Sequence, residues 1–127
     1  MKIEKFQDLE VWQISRGLVK YVYKLTYGDM FSKDFGLCDQ IRRASVSIMA
    51  NIAEGFGGTT KNFLRYLDCA LRSTYEVQSH LYVALDLKYV KKSDFADMYE
   101  KINATIGMIK GLIKYLNSFS KKAGKSK

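Results

Sequence analysis

The chain has 127 residues, of which 47% are hydrophobic and none is proline, and its formal net charge is +8. This length suits a single domain, and the lack of proline argues against loop-rich and β-sandwich proteins while permitting long helices. Cys38 and Cys69 form neither a CxxC pair nor a secreted disulfide framework. The sequence has no signal-peptide pattern and no apolar run near the ~18 residues of a membrane span. We therefore expect a reduced, cytoplasmic, all-α protein that makes no membrane contact.

The first helix is predicted from about Asp8, where an acidic residue suits the N-terminal dipole, to Tyr27. Its main apolar stripe comprises Val11, Ile14, Leu18, Val22 and Leu25. A second apolar stripe, about 100° around the helix, comprises Trp12, Val19 and Tyr23. One neighbouring helix would not cover both stripes, so we interpret the second as a candidate subunit interface.

The second helix, predicted from Gln40 to Gly55, is the stretch around which the rest of the chain is organised. One of its faces is apolar or small and comprises Ile41, Ala44, Ser45, Ile48, Ile52 and Gly55. A second apolar face comprises Val46, Met49 and Ala53, with Arg42 at its edge. An arginine in that position commonly serves an interface, so these four residues join the candidate subunit interface.

A narrow polar strip remains on the second helix: Gln40, Arg43, Ser47, Asn51 and Glu54. The strip could place an acid, Glu54, between hydrogen-bond donors. A polar strip between helices more often fixes their register through hydrogen bonds. We therefore favour a structural role for these residues over a catalytic one.

The glycine-rich turn GFGG ends the second helix, and Thr59 or Thr60 can cap the third, which is predicted from about Lys61 to Leu87. On this helix Arg72 and Glu76 are four residues apart and are predicted to pair. The turn lacks the GKS or GKT ending and the preceding strand of a phosphate-binding loop. It is therefore not expected to bind a nucleotide.

The fourth helix is predicted to start with Ser93 as its cap and to end near Phe119. Short connections between four helices of roughly 20 to 27 residues predict an antiparallel up-down-up-down four-helix bundle. We assign residues 1–119 to this bundle and residues 120–127 to a basic C-terminal tail, which is expected to be disordered.

Catalytic and metal chemistry have few candidate residues in this sequence. His80 is the only histidine, so a metal ligand set and a Ser-His-Asp triad both lack parts. A di-iron bundle site needs two histidines. We therefore expect no metal, no cofactor and no small-molecule substrate, and read His80 as a surface residue.

The positive charge is concentrated at the C-terminal end, because seven lysines and no acidic residue follow Glu100. The residues predicted to contact nucleic acid are Lys110, Lys114, Lys121, Lys122 and Lys125. Clustered lysines favour phosphate binding through counterion release, although a terminal charge run is often only a solvated tail. Tyr75, Tyr82 and Tyr115 are predicted to be available for base stacking, while Trp12, Phe63, Phe95 and Phe119 are assigned to the core or its edge.

Three segments carry a resemblance to a known family: FQDLEVWQISRGLVKYVYKLT, QIRRASVSIMANIAEG and KNFLRYLDCALRSTYEV. From Phe6 to about Tyr89 the sequence resembles the small bacterial four-helix-bundle proteins encoded in intervening sequences of 23S rRNA genes. A related protein, the accessory variability determinant of diversity-generating retroelements, forms a barrel-like pentamer that binds nucleic acid and a reverse transcriptase. The resemblance implies a bundle fold and a homopentamer, and it attaches no reaction to the family.

The sequence supports two main hypotheses. In the first, the chain is a non-enzymatic scaffold that forms a closed homo-oligomer and binds RNA or DNA. In the second, it is an adaptor for another protein, and the basic end serves only solubility. An enzyme of unknown activity is a third and weaker reading.

Overall fold

A computed structural model describes residues 2–125, with side chains described for residues 2–119. Its helices are α1 (Glu10–Thr26), α2 (Phe35–Gly55), α3 (Thr60–Asp86) and α4 (Lys92–Lys125), and two short 3-10 helices occupy Phe6–Asp8 and Phe31–Lys33. The described residues contain no strand. The prediction of an all-α fold is confirmed.

Each α-helix packs against the next one along the chain, and α4 returns to pack against α1. Short connections make successive helices antiparallel, which gives the predicted up-down-up-down bundle. The α2–α3 pair shares the most extensive contact. In this order α2 lies between α1 and α3, and it is diagonal to α4.

The core lies along the bundle axis and receives residues from all four helices. Its fully buried members include Leu18, Val22, Ile41, Ile48, Ile52, Leu67, Leu81, Ile102 and Ile109. The hydroxyls of Ser15, Thr74 and Thr105 are also buried, but each donates to the carbonyl oxygen four residues earlier at 2.7–2.9 Å. These bonds satisfy the hydroxyls without a partner from another helix.

The starts of α1 and α2 differ from the predicted positions, by two and five residues, because of local turn chemistry. Helix α2 begins five residues before Gln40, at Phe35, because the Asp34 carboxylate accepts a hydrogen bond from the Leu37 amide at 3.1 Å and caps it. Helix α1 begins at Glu10, because the preceding residues Phe6–Asp8 form a 3-10 turn.

The predicted cap of α3 is confirmed, whereas the predicted cap of α4 is wrong. The Thr59 hydroxyl accepts a hydrogen bond from the Asn62 amide at 3.1 Å, so this predicted cap is confirmed. Helix α4 already includes Lys92, and Ser93 therefore lies inside the helix instead of capping it.

The two connections at one end of the bundle, here called the upper end, are tied together by Tyr89. Its hydroxyl donates to the Asp34 carboxylate at 3.0 Å, and its ring lies 5.4 Å from the buried ring of Phe31. The hydrogen bond to Asp34 raises the pKa of the Tyr89 phenol, because the ionised form could not donate it. This contact places the start of α2 level with the end of α3.

The last turns of α4 differ from the sequence prediction. The helix continues to Lys125, six residues beyond Phe119. Phe119 is 59% exposed, so its predicted place beside the core is wrong. Helix α4 has 34 residues and α3 has 27, so the end of α4 extends past its neighbour. The division into a bundle (1–119) and a tail (120–127) stays a prediction.

Replacing Ile48 by aspartate should destabilise the bundle by several kcal/mol, since it places an unpaired charge at a position with 0% exposure. Lys91→Asp, at an exposed position, should leave the fold almost unchanged. Urea unfolding of both variants measures the difference. Equal unfolding midpoints would show that the core is misplaced.

Gly55 allows α2 and α3 to approach closely, because a Cβ atom built on it would lie 2.6 Å from Cβ of Tyr66. Gly55→Ala should therefore cost about 1–3 kcal/mol of stability through overpacking. The matched control is Gly17→Ala on α1, where a Cβ would meet no atom within 4 Å. That substitution should stabilise the protein by about 0.5–1 kcal/mol. Thermal unfolding should move in opposite directions for the two variants, and a shift of the same sign would contradict the close approach.

Candidate interaction surfaces

The seven residues predicted to form a subunit interface lie along the junction of α1 and α2, which we call the α1–α2 face. They are Trp12, Val19 and Tyr23 on α1 and Arg42, Val46, Met49 and Ala53 on α2. Val46 is 40% exposed and the other six are half-buried. The structure thus brings the two predicted stripes together into one surface. Its role as an interface stays a prediction.

Arg42 is held in a fixed position near the upper end of this face. Its Nε donates to the Thr26 hydroxyl at 2.8 Å, and its guanidinium lies 4.7 Å from the ring centroid of Tyr23 and 5.0 Å from that of Tyr27. Cation–π contacts of this kind restrain the side chain as well as stabilise it. Among the side chains of residues 2–119, no carboxylate forms an ion pair with Arg42.

An open groove of about 950 Å³ lies beside Arg42, and we call it the Arg42 groove. It is lined by Tyr23, Tyr27, Ser32, Phe35, Cys38, Asp39, Arg42, Arg43, Val46 and Ser47. Phe35 is 81% exposed and Tyr27 is 69% exposed. Exposed aromatic rings beside a restrained arginine are typical of the centre of a protein interface.

Sequence reasoning did not assign Tyr27 or Phe35 to this surface. Starting α2 at Gln40 left Phe35 outside the predicted helix. Tyr27 follows Tyr23 by four residues, so the second stripe of α1 could have been extended by one turn.

The lower end of the α1–α2 face is partly covered by the chain itself. The ring of Phe6 contacts Trp12 edge-on, with centroids 5.3 Å apart, and the guanidinium of Arg16 lies 5.6 Å from the Trp12 ring. The most accessible part of the face is therefore the upper one, around Arg42 and Val46.

The polar strip on α2 divides into two groups. Ser47 Oγ lies 2.9 Å from Ser73 Oγ on α3, and the Asn51 amide donates to the Ser47 carbonyl at 2.8 Å and to its hydroxyl at 3.0 Å. Gln40, Arg43 and Glu54 are exposed instead. The Arg43 guanidinium pairs with Asp39 on its own helix at 2.9 Å.

Two of the five lysines predicted to contact nucleic acid have described side chains. Lys110 and Lys114 are exposed on α4, and Lys110 Nζ lies 5.9 Å from the ring centroid of Tyr75 on α3. Tyr75 is 41% exposed. We call these three residues the lysine face. Lys121, Lys122 and Lys125 lie outside the described side chains.

Comparison with models of known protein families identifies the family of this chain. The family model described as 23S rRNA-intervening sequence protein matches residues 7–111. The chain belongs to this family. The match covers α1, α2 and α3 completely and most of α4, so all the buried core residues of the described chain, Val11 to Ile109, lie within the matched range.

One solved structure supports the same fold for this chain. It is a protein of unknown function from the S23 ribosomal protein family of Bacteroides thetaiotaomicron VPI-5482. The two share 22% sequence identity with a TM-score of 0.74, over 82% of this chain and 98% of the other. No match was found among curated proteins.

The side chains considered for chemistry differ from expectation in two places. His80, predicted to be a surface residue, is partly buried, with 17% of its side chain exposed, and its Nε2 lies 3.2 Å from the Glu76 carboxylate. Arg72 pairs with Asp68 at 3.1 Å and not with Glu76. An acidic residue on the N-terminal side of the arginine is the more favourable order on a helix.

Other reactive groups were also placed by the structure. Burial raises the pKa of the Cys38 thiol, which donates to the Phe31 carbonyl oxygen at 3.0 Å. A raised pKa reduces the thiolate fraction and hence the reactivity of the thiol.

Within residues 2–125, no cluster of three or more His, Cys, Asp or Glu residues could hold a metal ion. No helix in the same range is long and apolar enough to cross a bilayer.

Proposed function

We propose that the protein is a non-enzymatic, cytoplasmic helical scaffold that self-associates through the α1–α2 face. Its resemblance to the pentameric accessory determinant favours five subunits. The α1–α2 face supplies the contact because it joins apolar residues from two helices into one accessible surface.

The observation that carries this proposal is the restrained Arg42 beside exposed aromatic rings. Ordering a flexible side chain at an interface costs about 0.5–1.5 kcal/mol, and the contacts of Arg42 with Thr26, Tyr23 and Tyr27 already restrain it. Tyrosine and arginine are also enriched among residues that dominate binding energy. The Arg42 groove is therefore suited to a stable contact with a protein surface.

A second function, binding of RNA or DNA, is favoured by the lysine face. Lys110 lies over Tyr75, which combines a cation for a phosphate with a ring on which a base can stack. Lys114 lies four residues further along α4, and the other three predicted lysines, Lys121, Lys122 and Lys125, follow it in the sequence. Lysines that meet phosphates position a ligand without reading its sequence, so the binding would show little sequence preference. An adaptor for another protein is the alternative if no nucleic acid binds.

Light scattering at micromolar concentration should give a mass several times 14.6 kDa, with five subunits expected. Val46→Glu should reduce it to the monomer, because it places a charge in the apolar contact. Ala104→Glu, at an exposed position on α4, is the control and should not change the mass. A wild-type protein that is a monodisperse monomer would refute self-association.

Lys110→Glu with Lys114→Glu, combined with truncation after Ser118, should abolish retention on heparin and any RNA or DNA gel shift while leaving the assembly intact. The lysine pair and the truncation should also each weaken binding and reduce its salt dependence, since fewer counterions are released. Lys20→Glu with Lys24→Glu makes the same change of charge as the lysine pair at exposed positions on α1, and should have a smaller effect. Absence of any gel shift at low salt, or unchanged binding by the combined variant, would favour the adaptor.

A further inference from the structure

An exposed apolar and acidic strip runs along the outer side of α3 at the upper end. It comprises Glu76, Val83, Asp86 and Leu87, and we call it the α3 ridge. Val83 is 43% exposed and Leu87 is 50% exposed, although both are large apolar residues. The spacing of Glu76, Val83 and Leu87, seven and four residues, places them on one side of the helix. That side is opposite the buried residues Thr74, Val77, Leu81 and Ala84.

We propose that the α3 ridge of one subunit binds the Arg42 groove of the next, so that the subunits join head to tail around a closed ring. The inference rests on the proposed self-association and identifies the two surfaces that meet. The occupant of the Arg42 groove is then a second copy of this chain.

Charge complementarity supports this pairing. Arg42 forms no ion pair with the carboxylates of residues 2–119, and neither does Asp86 with their cationic groups. The Glu76 carboxylate lies 3.2 Å from Nε2 of the partly buried His80, and 54% of the Glu76 side chain remains exposed. Acidic groups on the ridge would meet the cationic groove, while Val83 and Leu87 would meet Phe35 and Tyr27. Matching of this kind favours a single partner and register.

The two surfaces also lie at the same height. Val46 is about 16 Å below the first residue of α2, and Glu76 is about 15 Å below the last residue of α3, at 1.5 Å per residue. The Tyr89–Asp34 hydrogen bond sets these two helix ends level with each other. Neighbouring subunits can therefore meet without a shift along the bundle axis, as a closed ring requires.

The order of the helices supplies the ring geometry. The helices follow one another around the bundle in chain order, so the outer side of α3 is not directly opposite the α1–α2 face. Head-to-tail contacts close into a ring when each contact turns the next subunit, and they give a filament when they do not close. Contact surfaces that are not directly opposite each other turn each subunit relative to the one before, as a closed ring requires.

The test uses two variants that each remove one surface. Val46→Glu blocks the Arg42 groove and keeps the ridge, whereas Val83→Arg puts a cation on the ridge and keeps the groove. We expect each variant alone to be a folded monomer by light scattering and circular dichroism. A one-to-one mixture should form a complex of twice 14.6 kDa and no larger, because the intact ridge of one variant binds the intact groove of the other and only the two blocked surfaces then remain.

Ala104→Arg controls for the added charge at an exposed position on α4, and Leu87→Arg provides a second ridge variant if Val83→Arg does not fold. An assembled wild type whose ridge variants keep the full mass would overturn the ridge pairing while self-association stands. Ridge variants that are monomeric but do not associate with Val46→Glu would also overturn it. A monomeric wild type would remove both proposals.

Discussion

The burial of α2 on two sides is the constraint on which the rest of the structure depends. Ile41, Ile48 and Ile52 are at most 1% exposed, and the helix packs against α1 on one side and α3 on the other. At its lower end the missing side chain of Gly55 lets Tyr66 approach. Because core residues of α2 pack against both α1 and α3, a substitution that removes one of them should weaken both helix–helix contacts.

The fold could be predicted because the apolar periodicity of each helix is strong and no proline interrupts it. Positions such as Ile48, Leu67 and Ile109 are buried as their spacing requires. The errors lie at helix ends. At a helix end, one side chain can set the boundary. The Asp34 cap makes α2 begin before Gln40, and the spacing of apolar residues gives no sign of this hydrogen bond. Phe119 was misplaced because its spacing continues the core stripe of α4 beyond the reach of the other helices.

The candidate site was only partly predictable for a similar reason. The stripes that contain Tyr23, Arg42 and Val46 are visible in the sequence, since each repeats along one helix. The groove depends on how α1 and α2 are placed against each other, and on a turn that leaves Phe35 exposed. The cation–π contacts of Arg42 with Tyr23 and Tyr27 join residues 15 to 19 positions apart, which helical periodicity does not relate.

The proposed subunit contact and the lysine face lie in parts of the chain with different net charge. Residues 1–100 hold 14 basic and 13 acidic groups, or +1, while the remaining residues carry +7. Self-association through α1, α2 and α3 therefore joins parts of the chain that carry little net charge, so subunits meet without strong overall repulsion. The excess of lysine is carried by α4 and the residues that follow it.

A ring built from the α1–α2 face and the α3 ridge would also determine where those lysines point. Both contact surfaces flank α2, so α2 lies nearest the ring axis, and α4, which is diagonal to it, lies at the outer rim. Lys110 and Lys114 would then recur around the circumference, and the repeated positive potential would attract a polyanion from outside. A nucleic acid bound there would wrap around the rim instead of passing through the centre. Subunit contacts and phosphate contacts would use different sides of the bundle, which allows the assembly to persist whether or not nucleic acid is bound.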